Sequence, residues 1–163
     1  MAVRFSADEV LQMAQMIEAN AARFYESAAD FLRDERCRKL VIDLSRWEKT
    51  HERTFADMRT ALLAAEKESP VFDPNDEASL YLQALADTKV VRPREDPRDR
   101  LGASPEPRQV LSVAMDLERE SIVFYVGLKD LVPPALGKPR VDAILNEERR
   151  HVTILSQELA QLG

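Results

Sequence analysis

Cysteine is almost missing: Cys37 stands alone in 163 residues, so neither a disulfide framework nor a thiolate-rich zinc or iron-sulfur site can be assembled within one chain. Glycine is confined to four positions, and 45% of residues are apolar, a balance that favours helix. Basic charge is also short, 23 Lys and Arg against 29 Asp and Glu, for a formal net charge of -6. That excludes the concentrated positive footprint a nucleic acid or an anionic membrane surface requires. No stretch approaches about 18 consecutive apolar residues. Met1-Ala2-Val3-Arg4-Phe5 leads directly into a polar helix start without the apolar stretch of a secretory signal, and the expectation is a soluble cytoplasmic protein. The length suits one domain over residues 1–163 with a proper core.

Histidine occurs only twice, and both copies sit in the same short pattern. Glu48-Lys49-Thr50-His51 returns as Glu148-Arg149-Arg150-His151, and Glu18 and Glu118 precede the respective glutamates by the same interval. Phe24-Tyr25 returns as Phe124-Tyr125, and Val10-Leu11 as Val110-Leu111. With glutamate at 16 of 163 positions, four such placements arise by chance about once in ten thousand. The halves are an internal duplication.

Helical spacing carries the pattern. Ser6 and Glu9 form a capping box, with Phe5 and Val10 as a staple, and Val10, Met13, Ile17, Ala21, Phe24, Ala28 and Phe31 mark a first helix reaching about Arg33. Asp34 caps a second, with Leu40, Val41, Leu44, Trp47, Glu48, His51, Phe55, Met58 and Leu62 on one stripe. A turn near Asp34 brings Glu18 and Glu48 to the same height on an antiparallel hairpin. Prolines at 70, 74, 93 and 97 and a charged run from Arg92 to Arg100 mark residues 67–103 as a connection. Within it Asp73-Pro74 opens a short helix whose Leu80, Tyr81, Ala84 and Leu85 cover the bundle, while 89–102 is exposed. So long a crossover lets the second and third long helices run parallel. Ser104-Pro105 opens the third, with Leu111, Ala114, Met115, Glu118, Ile122, Tyr125 and Leu128 in its stripe, and Pro133-Pro134 ends it. The fourth starts around Pro139 and carries Val141, Ile144, Leu145, Glu148, His151, Val152, Leu155 and Leu159. The expected fold is an all-α four-helix bundle.

Four carboxylates and two imidazoles within an apolar stripe are costly unless something positive compensates them. Two divalent ions balance four glutamates by count, and oxygen-rich ligands with one imidazole per metal suit iron or manganese better than tetrahedral zinc. A lone Glu-x-x-His binds metal in roughly one case in ten, but the duplicated set reverses those odds.

One glutamate from each of two helices and Glu-x-x-His from each of the other two resembles the ferritin-like di-iron carboxylate family. The duplication, the short hairpins and a tyrosine seven residues after the first glutamate of each half are most similar to its rubrerythrin branch. The resemblance implies Glu48 and Glu148 bridging two metals, Glu18 and Glu118 as terminal ligands, and His51 and His151 binding one metal each. It implies two iron ions per chain, with manganese or zinc as substitutes, a homodimer, and a non-haem oxidoreductase that reduces peroxide or oxygen or oxidises Fe(II). The alternative is an iron-binding or iron-handling bundle without turnover. Two features depart from rubrerythrins proper: four cysteines of a rubredoxin-like module are missing, and Ser121 stands where the branch has a further glutamate. Electrons would then come from an external donor.

Around these six, the readings are plainer. Tyr25 and Tyr125 either hydrogen-bond ligand carboxylates or are ordinary satisfied core tyrosines. Trp47 reads as packing more readily than as a shield for the site. Glu52 and Glu147 point about 100 degrees away from the ligand face and read as surface charge. Cys37 reads as a bland half-buried thiol.

Overall fold

The computed structural model describes residues 5–62, 75, 77–86, 97–132 and 134–162. These residues form five α-helices: α1 (Ala7–Ala28), α2 (Glu35–Ala61), a short α3 (Glu77–Ala86), α4 (Pro107–Leu131) and α5 (Lys138–Gln161). Tight 3-10 turns at Pro97–Arg100 and Pro134–Leu136 precede α4 and α5. None of these helices is long and apolar enough to cross a membrane.

Capping explains the helix starts. The Ser6 hydroxyl accepts from Glu9 N at 3.2 Å while Ser6 N donates to Glu9 Oε2 at 2.8 Å, a reciprocal box that satisfies two otherwise orphaned donors. Asp34 Oδ1 accepts from Cys37 N at 2.8 Å and starts α2. Two boundaries differ from the sequence expectation. α1 stops at Ala28 rather than near Arg33, because the chain must reverse to enter α2; Asp30 N donates to Ser27 O and Phe31 is left 43% exposed. α4 starts at Pro107 rather than at Ser104-Pro105, since Pro107 suits the first helical turn and holds Glu106 extended (φ -71°, ψ 152°). Gln109 Oε1 then accepts from Glu106 N at 2.9 Å.

Cross-helix contacts set the directions. Ser45 Oγ donates to Ala22 O at 3.1 Å, and Arg59 forks onto both oxygens of Asp8 at 3.0 Å, so α1 and α2 are antiparallel. Arg108 near the start of α4 reaches Leu159 O near the end of α5, and Lys129 pairs with Asp142, so α4 and α5 are antiparallel too. Tyr25 donates to Glu118 and Tyr125 to Glu18, which makes α1 antiparallel to α4. It follows that α2 and α4 run the same way.

The helix of the connection between them, α3, seats on α4. Tyr81 Oη donates to Val123 O at 2.9 Å, and its ring lies over Gly127, where an added Cβ would come within 2.4 Å of Tyr81 Cε1. Its inward face differs from the expected one: Ser79 and Leu82 are buried, while Leu80, Tyr81 and Ala84 are exposed. Gly127, having no side chain, leaves room for the Tyr81 ring against α4, and Leu82 of the same helix as Tyr81 is fully buried. Leu85 and the capping pair Asp73-Pro74 lie outside the described side chains and residues, as do 87–96. Within 97–102, expected to be solvated, Arg100 makes a two-pronged ion pair with Glu120 at 3.2 and 3.1 Å.

The buried apolar residues separate into two clusters. One holds Val10, Leu11, Phe55, Met58, Phe124, Tyr125, Val141 and Leu145, and the other holds Phe24, Tyr25, Cys37, Val41, Leu44, Leu111, Met115 and Leu155. Each fully buried large side chain contributes about 1.5–3 kcal/mol. Between these layers, at mid-length of all four long helices, lies a polar one.

Candidate metal centre

The polar layer consists of Glu18 on α1, Glu48 and His51 on α2, Glu118 on α4, and Glu148 and His151 on α5, all 1–3% exposed. Three-residue spacing puts Glu48 and His51, and Glu148 and His151, on one face of their helices. Antiparallel packing of α2 on α5 then turns each pair toward the other. His51 Nδ1 lies 2.9 Å from Glu148 Oε1, 3.2 Å from Glu48 Oε2 and 3.6 Å from Glu18 Oε2. His151 Nδ1 lies 3.2 Å from Glu48 Oε1, 3.2 Å from Glu118 Oε2 and 3.7 Å from Glu148 Oε2. The structure thus brings together all six residues singled out from the sequence.

The donor atoms form two overlapping quartets, Glu18, Glu48, His51 and Glu148, and Glu48, Glu118, Glu148 and His151, each with its atoms within 4.8 Å of one another. Glu48 and Glu148 belong to both. Hydrogen bonding alone does not satisfy this arrangement. An imidazole Nδ1 carries one proton at most, yet three carboxylates crowd each one. Glu48 Oε1 and Glu148 Oε1 accept no hydrogen bond despite their closeness to a histidine nitrogen. Buried oxygens without donors, aimed at the point where a nitrogen lone pair also aims, fit a cation in each quartet.

Electrostatics agree. Burial, then repulsion from Glu148, Glu118 and Glu18, holds the Glu48 carboxyl well above the usual carboxylate range. Burial followed by repulsion from Glu118 and Glu18 pushes Glu148 up to about 8. Glu118 goes the other way: burial would raise it, but hydrogen bonds with Glu148 and His151 prevail and lower it. For His151, burial favours the neutral ring, yet the Glu118, Glu148 and Glu48 carboxylates raise it to about 12; His51 is raised likewise by Glu148, Glu18 and Glu48 against the effect of burial. Glu48, Glu148 and the two imidazoles hold protons for want of stronger positive charge. Divalent cations would replace those protons.

Three neighbours complete the centre. Tyr25 on α1 donates to Glu118 Oε1 and Tyr125 on α4 donates to Glu18 Oε1. Each half's tyrosine therefore orients the other half's glutamate, resolving the choice the sequence left open. Glu147 is a correction: its side chain is 45% exposed, yet its Oε2 lies 2.9 Å from His51 Nε2. It sits on the flank of α5 that meets α2, so a residue outside the ligand face still reaches the far edge of the opposing imidazole. Trp47 is 38% exposed rather than packed in the core, and it stacks on His151 with ring centroids 5.1 Å apart and planes inclined by 13°. The signal for both was their matched position in the two halves, immediately before each Glu-x-x-His. Ser121, in place of a further glutamate, turns its hydroxyl back to Leu117 O at 3.0 Å and adds no donor to the quartets.

No protein-family model matches the chain, and no curated protein matches it. Among solved structures, a crystal structure from Thermotoga maritima superposes with a TM-score of 0.69 over 98% of both chains at 19% sequence identity. That protein is provisionally described as a ferritin-like diiron-carboxylate protein. The fold is ferritin-like. The likeness is one of fold; the six converging residues are read from this chain's own sequence and geometry.

Proposed function

We propose that the chain is a di-iron oxidoreductase of the rubrerythrin-like kind, holding two iron ions in its two quartets and acting on peroxide or oxygen, with oxidation of Fe(II) as a companion activity. One observation carries the proposal: two four-donor groups share Glu48 and Glu148 in a buried layer and leave carboxylate oxygens without donors. In this reading Glu48 and Glu148, which belong to both quartets, would serve both ions, Glu18 and His51 would complete one site, and Glu118 and His151 the other. Oxygen-rich quartets with a single imidazole suit iron or manganese over zinc.

When bound, a pair of ferrous ions supplies the two electrons that, with two protons, turn hydrogen peroxide into two waters, each ion passing from Fe(II) to Fe(III). The chain's own contribution is positional. The apolar layers above and below exclude bulk water, and Tyr25 and Tyr125 fix the rotamers of Glu118 and Glu18. These 163 residues hold one cysteine, Cys37, too few for a four-thiolate iron module, and in this reading the electrons would be supplied from outside them. The same scarcity, together with Ser121, favours a second reading, an iron-binding bundle without turnover.

Anaerobically reduced, iron-loaded protein mixed with hydrogen peroxide separates the two. Rapid oxidation of two irons per peroxide consumed supports the oxidoreductase. Iron that stays ferrous, or oxidises no faster than Fe(II) free in buffer, leaves the non-catalytic reading.

A further inference from the structure

Residues 47 and 147 occupy the same place in the two halves, immediately before the glutamate of each Glu-x-x-His, and there the duplication breaks: one is tryptophan, the other glutamate. The consequence falls on the histidine of the opposite half. Glu147 reaches from α5 to α2 and sets its Oε2 2.9 Å from His51 Nε2. Trp47 reaches from α2 to α5 and lays its indole face on His151. An indole face offers an imidazole nitrogen no acceptor, and among the described residues none forms a hydrogen bond with His151 Nε2. A cavity of about 340 Å³ opens at this second half, bounded by Trp47, Glu147, Arg150, His151 and Ile154. It adjoins His151 and not His51.

A carboxylate on the far nitrogen of a ligating imidazole fixes its tautomer and orientation and makes the near nitrogen a stronger donor; losing it costs about 10–100-fold in metal affinity. We propose that the two halves of the centre hold metal unequally. Glu147 is a positioning residue that turns His51 Nδ1 toward Glu18, Glu48 and Glu148, so the ion of that quartet binds more tightly. The ion beside His151, under Trp47, is the weaker and exchangeable one. This rests on the two-metal reading above, and concerns binding alone.

The test is a titration of metal-free protein with Co(II), followed by calorimetry and by the visible absorption of bound cobalt. Wild type is expected to fill in two steps of one ion each, differing about 10–100-fold in affinity. Glu147→Ala lowers the tight step by that factor and brings the two together, while Glu147→Gln, which keeps an acceptor oxygen but not the charge, falls between. Trp47→Glu, placing a carboxylate at the matching position, strengthens the weak step. In Zn(II)-loaded protein the His51 Nε2 proton should exchange slowly in wild type and rapidly in Glu147→Ala while the backbone amides of α2 keep their protection, a pattern that a general loss of stability would not give. Two equal steps in wild type, or a Glu147→Ala titration indistinguishable from wild type, overturns the inequality and leaves the two-metal reading standing. Protein that binds no Co(II) removes both.

Discussion

Replacing Tyr25 by phenylalanine removes a single oxygen from a fully buried side chain and leaves the packing of its ring against Phe24 intact. What it deletes is the donor to Glu118 Oε1. His151 Nδ1 stays 3.2 Å from the other oxygen, so the carboxylate is half deprived in a buried layer. Hydrogen bonds to charged groups contribute about 1.5–3 kcal/mol. At roughly 2–4 °C per kcal/mol for a chain of this size, the metal-free variant should melt about 3–12 °C lower. Denaturant unfolding should show the same loss with an unchanged m value, since no surface is newly exposed in the native state. A double-mutant cycle makes the test specific. Tyr25 should couple to Glu118 and not to Glu18, because the two tyrosines cross between halves. A loss below about 0.5 kcal/mol, within the range of an inconsequential surface change, or coupling to Glu18 instead, refutes the crossed arrangement on which the antiparallel placement of α1 and α4 depends.

Stability should respond to pH in opposite senses with and without metal. In the metal-free protein Glu148 binds its proton up to about 8 against 4.5 when unconstrained, and His151 up to about 12 against 6.5; both groups stabilise the fold below those unconstrained values and lose that stabilisation as pH rises, whereas Glu118, lowered, loses its contribution as pH falls. Melting of chelator-treated protein should therefore decline from about pH 5 to 9, while loaded protein gains as protons cease to compete with the ions, and a melting gap that stays constant over that range contradicts the prediction. Gly127→Ala should destabilise by about 1–3 kcal/mol through collision with Tyr81, yet become stabilising in a Tyr81→Ala background, where only helix propensity is left to act; chemical denaturation of the four proteins checks the change of sign. Cys37, fully buried and pushed up to about 11 mainly by that burial, should resist alkylation at pH 8 until the protein unfolds, and labelling followed by mass spectrometry detects the contrary.

The fold and the six converging residues were readable because the duplication placed the same residue types twice at the same spacings within apolar stripes. Periodicity alone would have left each Glu-x-x-His ambiguous. Glu147 and Trp47 escaped that reading because a helical wheel records angles about one helix, whereas the flank of α5 acquires its meaning from how closely α2 packs beside it. The inward face of α3 was missed for a related reason: the room for the Tyr81 ring is left by Gly127 on a different helix, which the apolar count of α3 does not register. The early end of α1 reflects chain reversal, a tertiary demand that overrides the helical spacing continuing to Phe31. Local chemistry set the polar layer; contacts between elements set what surrounds it.

The most direct test of the central claim is anomalous diffraction from crystals of the protein grown or soaked with Fe(II) or Mn(II). Two peaks per chain are predicted between the helices, one within bonding reach of His51 Nδ1 and the other of His151 Nδ1, with carboxylate oxygens of Glu48 and Glu148 contacting both. A polar layer free of anomalous density under those conditions, or ions confined to the acidic surface, would contradict the account.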